Sequence, residues 1–116
     1  MVSYDTKSED PLSSKEEIEN FLIIVREAIK ERRVIVAKRD KNQETLARYN
    51  LNYVDVYDIV SKLCVDDYRK GPEPDDKARD LDDVWVFIKE LDFAKIYIKL
   101  SYKKNRKILV VISFHD

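Results

Sequence analysis

The 116-residue sequence has few of the residues from which many enzyme sites are built. It contains one glycine (Gly71), whereas the P-loop and the dinucleotide-binding GxGxxG loop each need more than one. The single cysteine (Cys64) excludes an internal disulfide and a cysteine-based zinc site, and the single histidine (His115) excludes multi-histidine metal sites. Cys64 falls near the end of an amphipathic segment, which predicts a small buried side chain. We therefore expect no nucleotide or other cofactor and no bound metal.

Long hydrophobic runs are also missing. The longest, FLIIV at 21–25 and ILVVI at 108–112, are far shorter than the roughly 18–20 apolar residues of a membrane helix. The N-terminal residues are polar and acidic, unlike a secretory signal or a transit peptide, so we expect a cytoplasmic protein with no membrane partner. Apolar residues make up 44% of the chain, enough for one core. The sequence predicts a flexible tail at 1–12 and a single domain at 13–116.

The first half of the chain has the pattern of helices. Ser14 and Glu17 form a capping box, and the apolar residues behind them recur at helical spacing up to about residue 32. A short edge strand is predicted at 34–36 and a polar helix at 41–49. A third helix is predicted from the N-cap Asn52 to about Cys64. Gly71 suits a left-handed helix stop, and an acidic loop follows to Asp83.

The second half has the pattern of strands, at 84–91, 95–102 and 107–115. Alternation is clearest in the middle strand, where Ile96, Ile98 and Leu100 face one way and the residues between them face the other. Short connections favour an antiparallel meander. Helices followed by a meander predict an α+β fold, with the helices packed on one face of the sheet.

Charge is unevenly distributed along the chain. Residues 94–116 carry six basic side chains against one acidic, and the remaining residues carry 16 basic against 22 acidic. Tyr97 and Lys99 would lie on the face of the sheet away from the helices. Ser113 and His115 share one face of the last strand, but apolar residues on both of its sides leave that face undecided. An open face with a phenol, an ammonium and an imidazole would suit an RNA backbone. The alternative is that Tyr97 and Lys99 are ordinary solvent-facing residues of a half-buried sheet.

Four short motifs carry a family resemblance: Asp67-Tyr-Arg-Lys-Gly-Pro72, Asp83-Val-Trp85, Ile96-Tyr-Ile-Lys99 and Val110-Val-Ile-Ser-Phe-His115. In this order and spacing, over roughly residues 50–116, the chain resembles the MqsR family of bacterial toxins. The resemblance implies a RelE-like fold, in which the open side of a small antiparallel sheet receives RNA. It also implies a ribonuclease that cuts messenger RNA, acts without metal and is silenced by an antitoxin protein.

The resemblance also implies roles for individual residues. The family's basic and phenolic catalytic positions fall on Lys70, Tyr97 and Lys99, and its final basic position, a lysine in the best-known member, falls on His115. That member has a functional glutamine directly after the tryptophan, where this chain has Val86, so its cleavage preference does not transfer. The residues predicted to contact RNA around this site are Tyr68, Arg69, Lys95, Lys103, Lys104 and Arg106.

These side chains suit RNA cleavage by attack of a 2′-OH on the adjacent phosphate, which leaves a 2′,3′-cyclic phosphate. Lys70 and Lys99 would stabilise the charge that builds on the phosphate oxygens, and Tyr97 would orient the reacting groups. Histidine exchanges a proton readily near neutral pH, so His115 would act as base or acid. Two alternatives remain at this point. One is a non-catalytic RNA-binding module on the same scaffold, and the other is a protein-interaction domain with a lysine-rich surface for an acidic partner.

Overall fold

The computed structural model describes residues 12–74 and 82–116, which form an α+β fold. The predicted tail lies outside the described residues except for the exposed Leu12, and so does most of the predicted acidic loop. In chain order the elements are α1 (Lys15–Lys30), β1 (Val34–Val36), α2 (Asp40–Arg48), α3 (Tyr53–Ser61), a 3₁₀ turn (Val65–Asp67), β2 (Tyr68–Glu73), β3 (Val84–Glu90), β4 (Lys95–Lys103) and β5 (Ile108–His115).

The first helix begins at the predicted capping box. The Ser14 hydroxyl accepts a hydrogen bond from the main-chain N–H of Glu17 (3.1 Å), and the Glu17 carboxylate accepts one from the Ser14 N–H (2.7 Å). These two bonds satisfy N–H groups that have no partner inside the helix. One stripe of the helix is buried, as its spacing predicted: Ile18, Phe21, Leu22, Val25 and Ala28.

The third helix also begins as predicted, because Asn52 and Asp55 form a second capping box. It ends at Ser61, however, and the prediction that Cys64 is buried is wrong: Cys64 is exposed. Its main-chain N–H donates to the Asp67 carboxylate at 2.9 Å, which caps the 3₁₀ turn instead of continuing the helix. Leu63 is the last buried residue of the stripe, and the helix has already ended at Ser61, so its periodicity no longer sets the direction of Cys64.

The five strands form one sheet in the order β1-β5-β4-β3-β2. The last three strands along the chain form the predicted antiparallel meander, and β1 is the predicted edge strand, which pairs with β5 in parallel. β2 was not predicted and pairs antiparallel with β3 at the other edge. Gly71 has a positive φ of 117°, but it lies within β2 rather than at a helix stop. A Cβ atom there would lie 2.7 Å from the Val84 carbonyl oxygen, so only glycine fits.

The main core lies between the helices and one face of the sheet. Ile96, Ile98 and Leu100 of β4 are fully buried in it with the α1 stripe, as the alternation predicted. Tyr97 and Lys99 project from the opposite face and are partly exposed. We call this second side of the sheet the open face. In the described part of the chain, no helix combines the length and the apolarity that spanning a membrane requires.

Candidate nucleic-acid interface

A β-bulge in β5 decides which face His115 occupies. Leu100 of β4 pairs with Val111 and the preceding Lys99 pairs with Ser113, so Ile112 is an extra residue in β5. Before the bulge, alternation places Leu109 and Val111 in the core. Beyond it the alternation is reversed, so Phe114 enters the core while Ser113 and His115 turn to the open face.

Tyr97 and His115 are direct cross-strand partners on the open face. Their ring centroids are 5.2 Å apart and their planes differ by 29°, so the two rings are stacked. Both side chains are partly exposed. His115 Nδ1 lies 3.3 Å from the main-chain oxygen of Asp116. A phenol and an imidazole are therefore held together where a single nucleotide could contact both.

The two predicted lysines lie in the next row of the open face. Register places Lys70, Val86, Lys99 and Ser113 side by side on four consecutive strands. Lys70 and Lys99 are separated by one strand, so their backbones are about 10 Å apart at the usual strand spacing. Lys70 Nζ is 3.3 Å from Glu73 Oε1. Within the described ranges, Lys99 makes no ion pair or hydrogen bond through its side chain.

Val86 stands between the two lysines in this row. It is 3% exposed, and its methyl groups can neither donate nor accept a hydrogen bond. The row therefore has a cation on each side of an apolar centre. The polar side chains of this row are the two lysines and Ser113, and Ser113 is only 5% exposed.

The other residues predicted to bind RNA are not brought together. Lys95 lies on the open face beside Tyr97, with its Nζ 3.8 Å from Glu90. Arg69 bonds to the main-chain oxygens of Asp66 and Tyr68. The remaining three belong to the β4–β5 hairpin at the opposite end of the sheet from His115: Lys103, Lys104 and Arg106.

Tyr68 has a structural position on the helix side of the sheet. Its ring lies edge-on to Trp85 and Phe87, with centroids 6.1 and 6.0 Å away. Its hydroxyl donates to the Gly71 carbonyl oxygen and accepts a hydrogen bond from the Ser13 N–H. The prediction that Tyr68 contacts RNA therefore does not fit its position, which lies away from the open face. Irregular register between β2 and β3 separates it from Lys70, two residues further on, which lies on the open face.

Two cations that were not among the predicted site residues lie near His115, at the start of α2. Arg39 Nη1 lies 3.4 Å from Ser113 Oγ, and Lys41 lines the same cavity as His115. Both belong to a basic cluster in the sequence, which is the signal that points to them: Arg32, Arg33, Lys38, Arg39 and Lys41. Its approach to β5 depends on the parallel β1–β5 pairing, which joins segments more than 70 residues apart.

The end of β5 is fastened to α2 through Asp116. Its carboxylate accepts hydrogen bonds from the Tyr49 hydroxyl (2.6 Å) and from Arg48 Nη1 (2.7 and 2.9 Å). The hydrogen bond from Tyr49, followed by the interaction with Arg48, lowers the pKa of Asp116. The same carboxylate raises the pKa of the Tyr49 hydroxyl, because it accepts that group's proton in a hydrogen bond. The contacts with Tyr49 and Arg48 therefore favour the ionised form of the carboxylate next to His115.

No protein-family model matches this chain, and no curated protein is significantly similar to it in sequence. Across residues 12–74 and 82–116, no group of three or more histidine, cysteine or acidic side chains is placed to hold a metal ion.

Proposed function

We propose that this protein is an endoribonuclease that cleaves messenger RNA without metal, and that it is the toxin of a type II toxin–antitoxin system. The observation that carries the proposal is the stacked pair Tyr97–His115, next to Lys99 on the open face. The four motifs that resemble MqsR toxins lie mainly on β2, β3, β4 and β5, and their four candidate catalytic residues share the open face: Lys70, Tyr97, Lys99 and His115. This arrangement supports a RelE-like ribonuclease, whose neutralising partner would be an antitoxin protein.

The proposed reaction needs one proton removed and one supplied. The ribose 2′-OH loses its proton and attacks the adjacent phosphorus in line, and the bond from phosphorus to the 5′-oxygen breaks. The 5′-oxygen leaves with a proton, and a 2′,3′-cyclic phosphate remains. His115 carries one of these two proton transfers, and the Tyr97 hydroxyl orients the attacking or the non-bridging oxygen. Lys99 and Lys70 stabilise the negative charge that builds on the phosphate.

One observation favours a second candidate, a non-catalytic RNA-binding module. Val86 puts a buried apolar side chain at the centre of the lysine row, where the best-known MqsR toxin has a functional glutamine. A face with cations and stacked rings but fewer polar groups would still bind a phosphate backbone.

Cleavage of RNA in the presence of a chelator separates the two candidates. Purified protein is incubated with one unstructured and one structured RNA, and the fragments are analysed for 2′,3′-cyclic phosphate ends. We expect cleavage by the wild type, and a loss of about 100-fold or more in His115→Ala, as is typical when a proton-transfer group is removed. Tyr97→Phe keeps the stacked ring and removes only the hydroxyl, so it should also cleave more slowly.

Tyr53→Phe is the matched control, since Tyr53 is an exposed tyrosine at the start of α3. It should cleave at the wild-type rate. A fully active His115→Ala would rule out the role of the imidazole. RNA binding without fragments would favour the binding module, and no RNA affinity even at low salt would reject both candidates.

A further inference from the structure

A cavity adjoins the candidate site where the start of α2 meets the end of β5. It has a volume of about 290 Å³ and is lined by Arg39, Asp40, Lys41, Asn42, Ser113 and His115. Two of these residues carry a permanent positive charge and one carries a negative charge. Among the residues that line the cavity, the proposed reaction uses only His115. The other five have no role in that reaction.

Arg39 and Lys41 are the two cations of this cavity, and Asp40 is its one acidic lining residue. Arg39 Nη1 lies 3.4 Å from the Ser113 hydroxyl and 3.5 Å from the Ile112 carbonyl oxygen, and both are neutral acceptors at long distances. Neither Arg39 nor Lys41 forms an ion pair with any residue in the described ranges. A guanidinium presents its donors as a planar fork that matches a phosphate group, so an anion would satisfy it better than the present contacts do.

Asn42 gives this cavity a fixed wall. It is fully buried, its amide nitrogen donates to the carbonyl oxygens of Ala37 and Ile112, and its amide oxygen accepts from the Phe114 N–H. Its polar groups are therefore used within the protein and hold the start of α2 against β5. The distance between Arg39 and Ser113 is set by this buried contact rather than by exposed loops.

We propose that this cavity binds an RNA phosphate adjacent to the scissile one, with Arg39 as its main ligand. Ser113 and His115 are two residues apart on one strand, about 7 Å. Since Arg39 contacts Ser113, a phosphate bound by Arg39 would lie close to a phosphate held at His115. The identification of the ligand as RNA rests on the proposed function, whereas the capacity to bind a phosphate does not.

The single histidine of the chain makes phosphate binding directly measurable. Untagged protein is titrated with inorganic phosphate at constant pH and ionic strength, and the imidazole signals are followed by NMR. We expect a saturable shift in the wild type. In Arg39→Ala the apparent affinity should fall about tenfold or more, as when a charge-assisted hydrogen bond is lost. Arg39→Lys keeps the charge without the fork and should bind with intermediate affinity.

Arg26→Ala is the control, because Arg26 is an exposed cation of α1 on the other side of the sheet. It should titrate like the wild type. The same variants are then tested for binding to a 2′-O-methyl RNA, which has no free 2′-OH and is not cleaved. Loss of one phosphate contact should reduce the slope of log affinity against log salt by about 0.7 in Arg39→Ala and leave it unchanged in Arg26→Ala.

The outcomes distinguish this inference from the proposed function. A wild-type shift that Arg39→Ala retains, or no saturable shift at all, would overturn the phosphate site even if the protein cleaves RNA. A shift that depends on Arg39 would support the site even if no cleavage is found. The RNA assignment would then fail separately if the salt slope did not change.

Discussion

At the scale of single residues, His115 is the point where distant parts of the chain meet. Tyr97 stacks on it from β4, and Arg39, the N-cap residue of α2, lies close to Ser113 two residues before it. Asp116 follows it and is bonded to Tyr49 and Arg48. The chemistry proposed for the imidazole thus depends on contacts that hold the end of β5 in place.

The Asp116 contacts should make stability depend on pH. The pKa of Asp116 is lower in the folded protein, first because of the Tyr49 hydroxyl and then because of Arg48, so the folded state favours the ionised form. The resulting stabilisation is complete above the ordinary aspartate pKa of about 3.9 and is lost as the pH falls through the lower folded-state pKa. Asp116→Asn should therefore unfold at lower urea concentration than the wild type at pH 7, and the difference should shrink in strong acid.

Urea unfolding followed by the fluorescence of Trp85, the only tryptophan, measures this difference at each pH. Asp58→Asn is a suitable control, because it removes a carboxylate from an exposed i,i+4 pair with Lys62 and should change the midpoint very little. If the difference in urea midpoint between Asp116→Asn and the wild type stays constant from pH 7 into strong acid, the ionised Asp116 carboxylate is not its cause.

At the scale of elements, the bulge in β5 links packing to the candidate site. The Asn42 side chain reaches the bulge from α2. Its amide nitrogen donates to the Ile112 carbonyl oxygen, and its amide oxygen accepts a hydrogen bond from the Phe114 N–H. Asn42→Ala would leave buried polar groups without partners, at a cost of about 1–3 kcal/mol in the free energy of unfolding. The end of β5 should then loosen, so the contact between the rings of His115 and Tyr97 should weaken.

Chemical denaturation and the NOE between the two rings test this role of Asn42. Asn42→Asp is the informative companion variant, since it can still accept from Phe114 but cannot donate to the two carbonyl oxygens. It should be destabilised as well. Gln43→Ala, an exposed neighbour in α2, should behave like the wild type. Wild-type stability together with an unchanged ring contact in Asn42→Ala would contradict the assignment.

The elements also show why only part of the site could be predicted. The α1 stripe and the β4 alternation are local patterns, and both were predicted correctly. The face of His115 was not predictable, because β5 is apolar on both sides and its bulge is held by Asn42, about 70 residues earlier. β2 was not predicted because it contains Gly71 and Pro72. These residues weaken the sequence pattern of a strand but are tolerated at an irregular sheet edge.

At the scale of the whole molecule, positive charge extends well beyond the candidate site. The cations of the β4–β5 hairpin are six or more residues from Tyr97 along β4, which is about 20 Å at the usual rise of a strand. This distance is about twice the screening length of about 10 Å at 0.1 M salt. If the proposed function is correct, these cations should therefore assist RNA binding without taking part in cleavage.

The hairpin and the open face should consequently respond differently to salt. Replacing both Lys104 and Arg106 with alanine should raise the RNA concentration needed for half-maximal rate several-fold at low salt, and leave the saturated rate unchanged. The difference should fade as salt increases, because exposed charges at this distance are screened.

Lys99→Ala should instead lower the saturated rate at every salt concentration, since Lys99 would contact the reacting phosphate. Single-turnover cleavage at two salt concentrations measures both quantities. A hairpin variant with a reduced saturated rate would mean that RNA reaches its transition state on a much larger surface than the four residues of the candidate site.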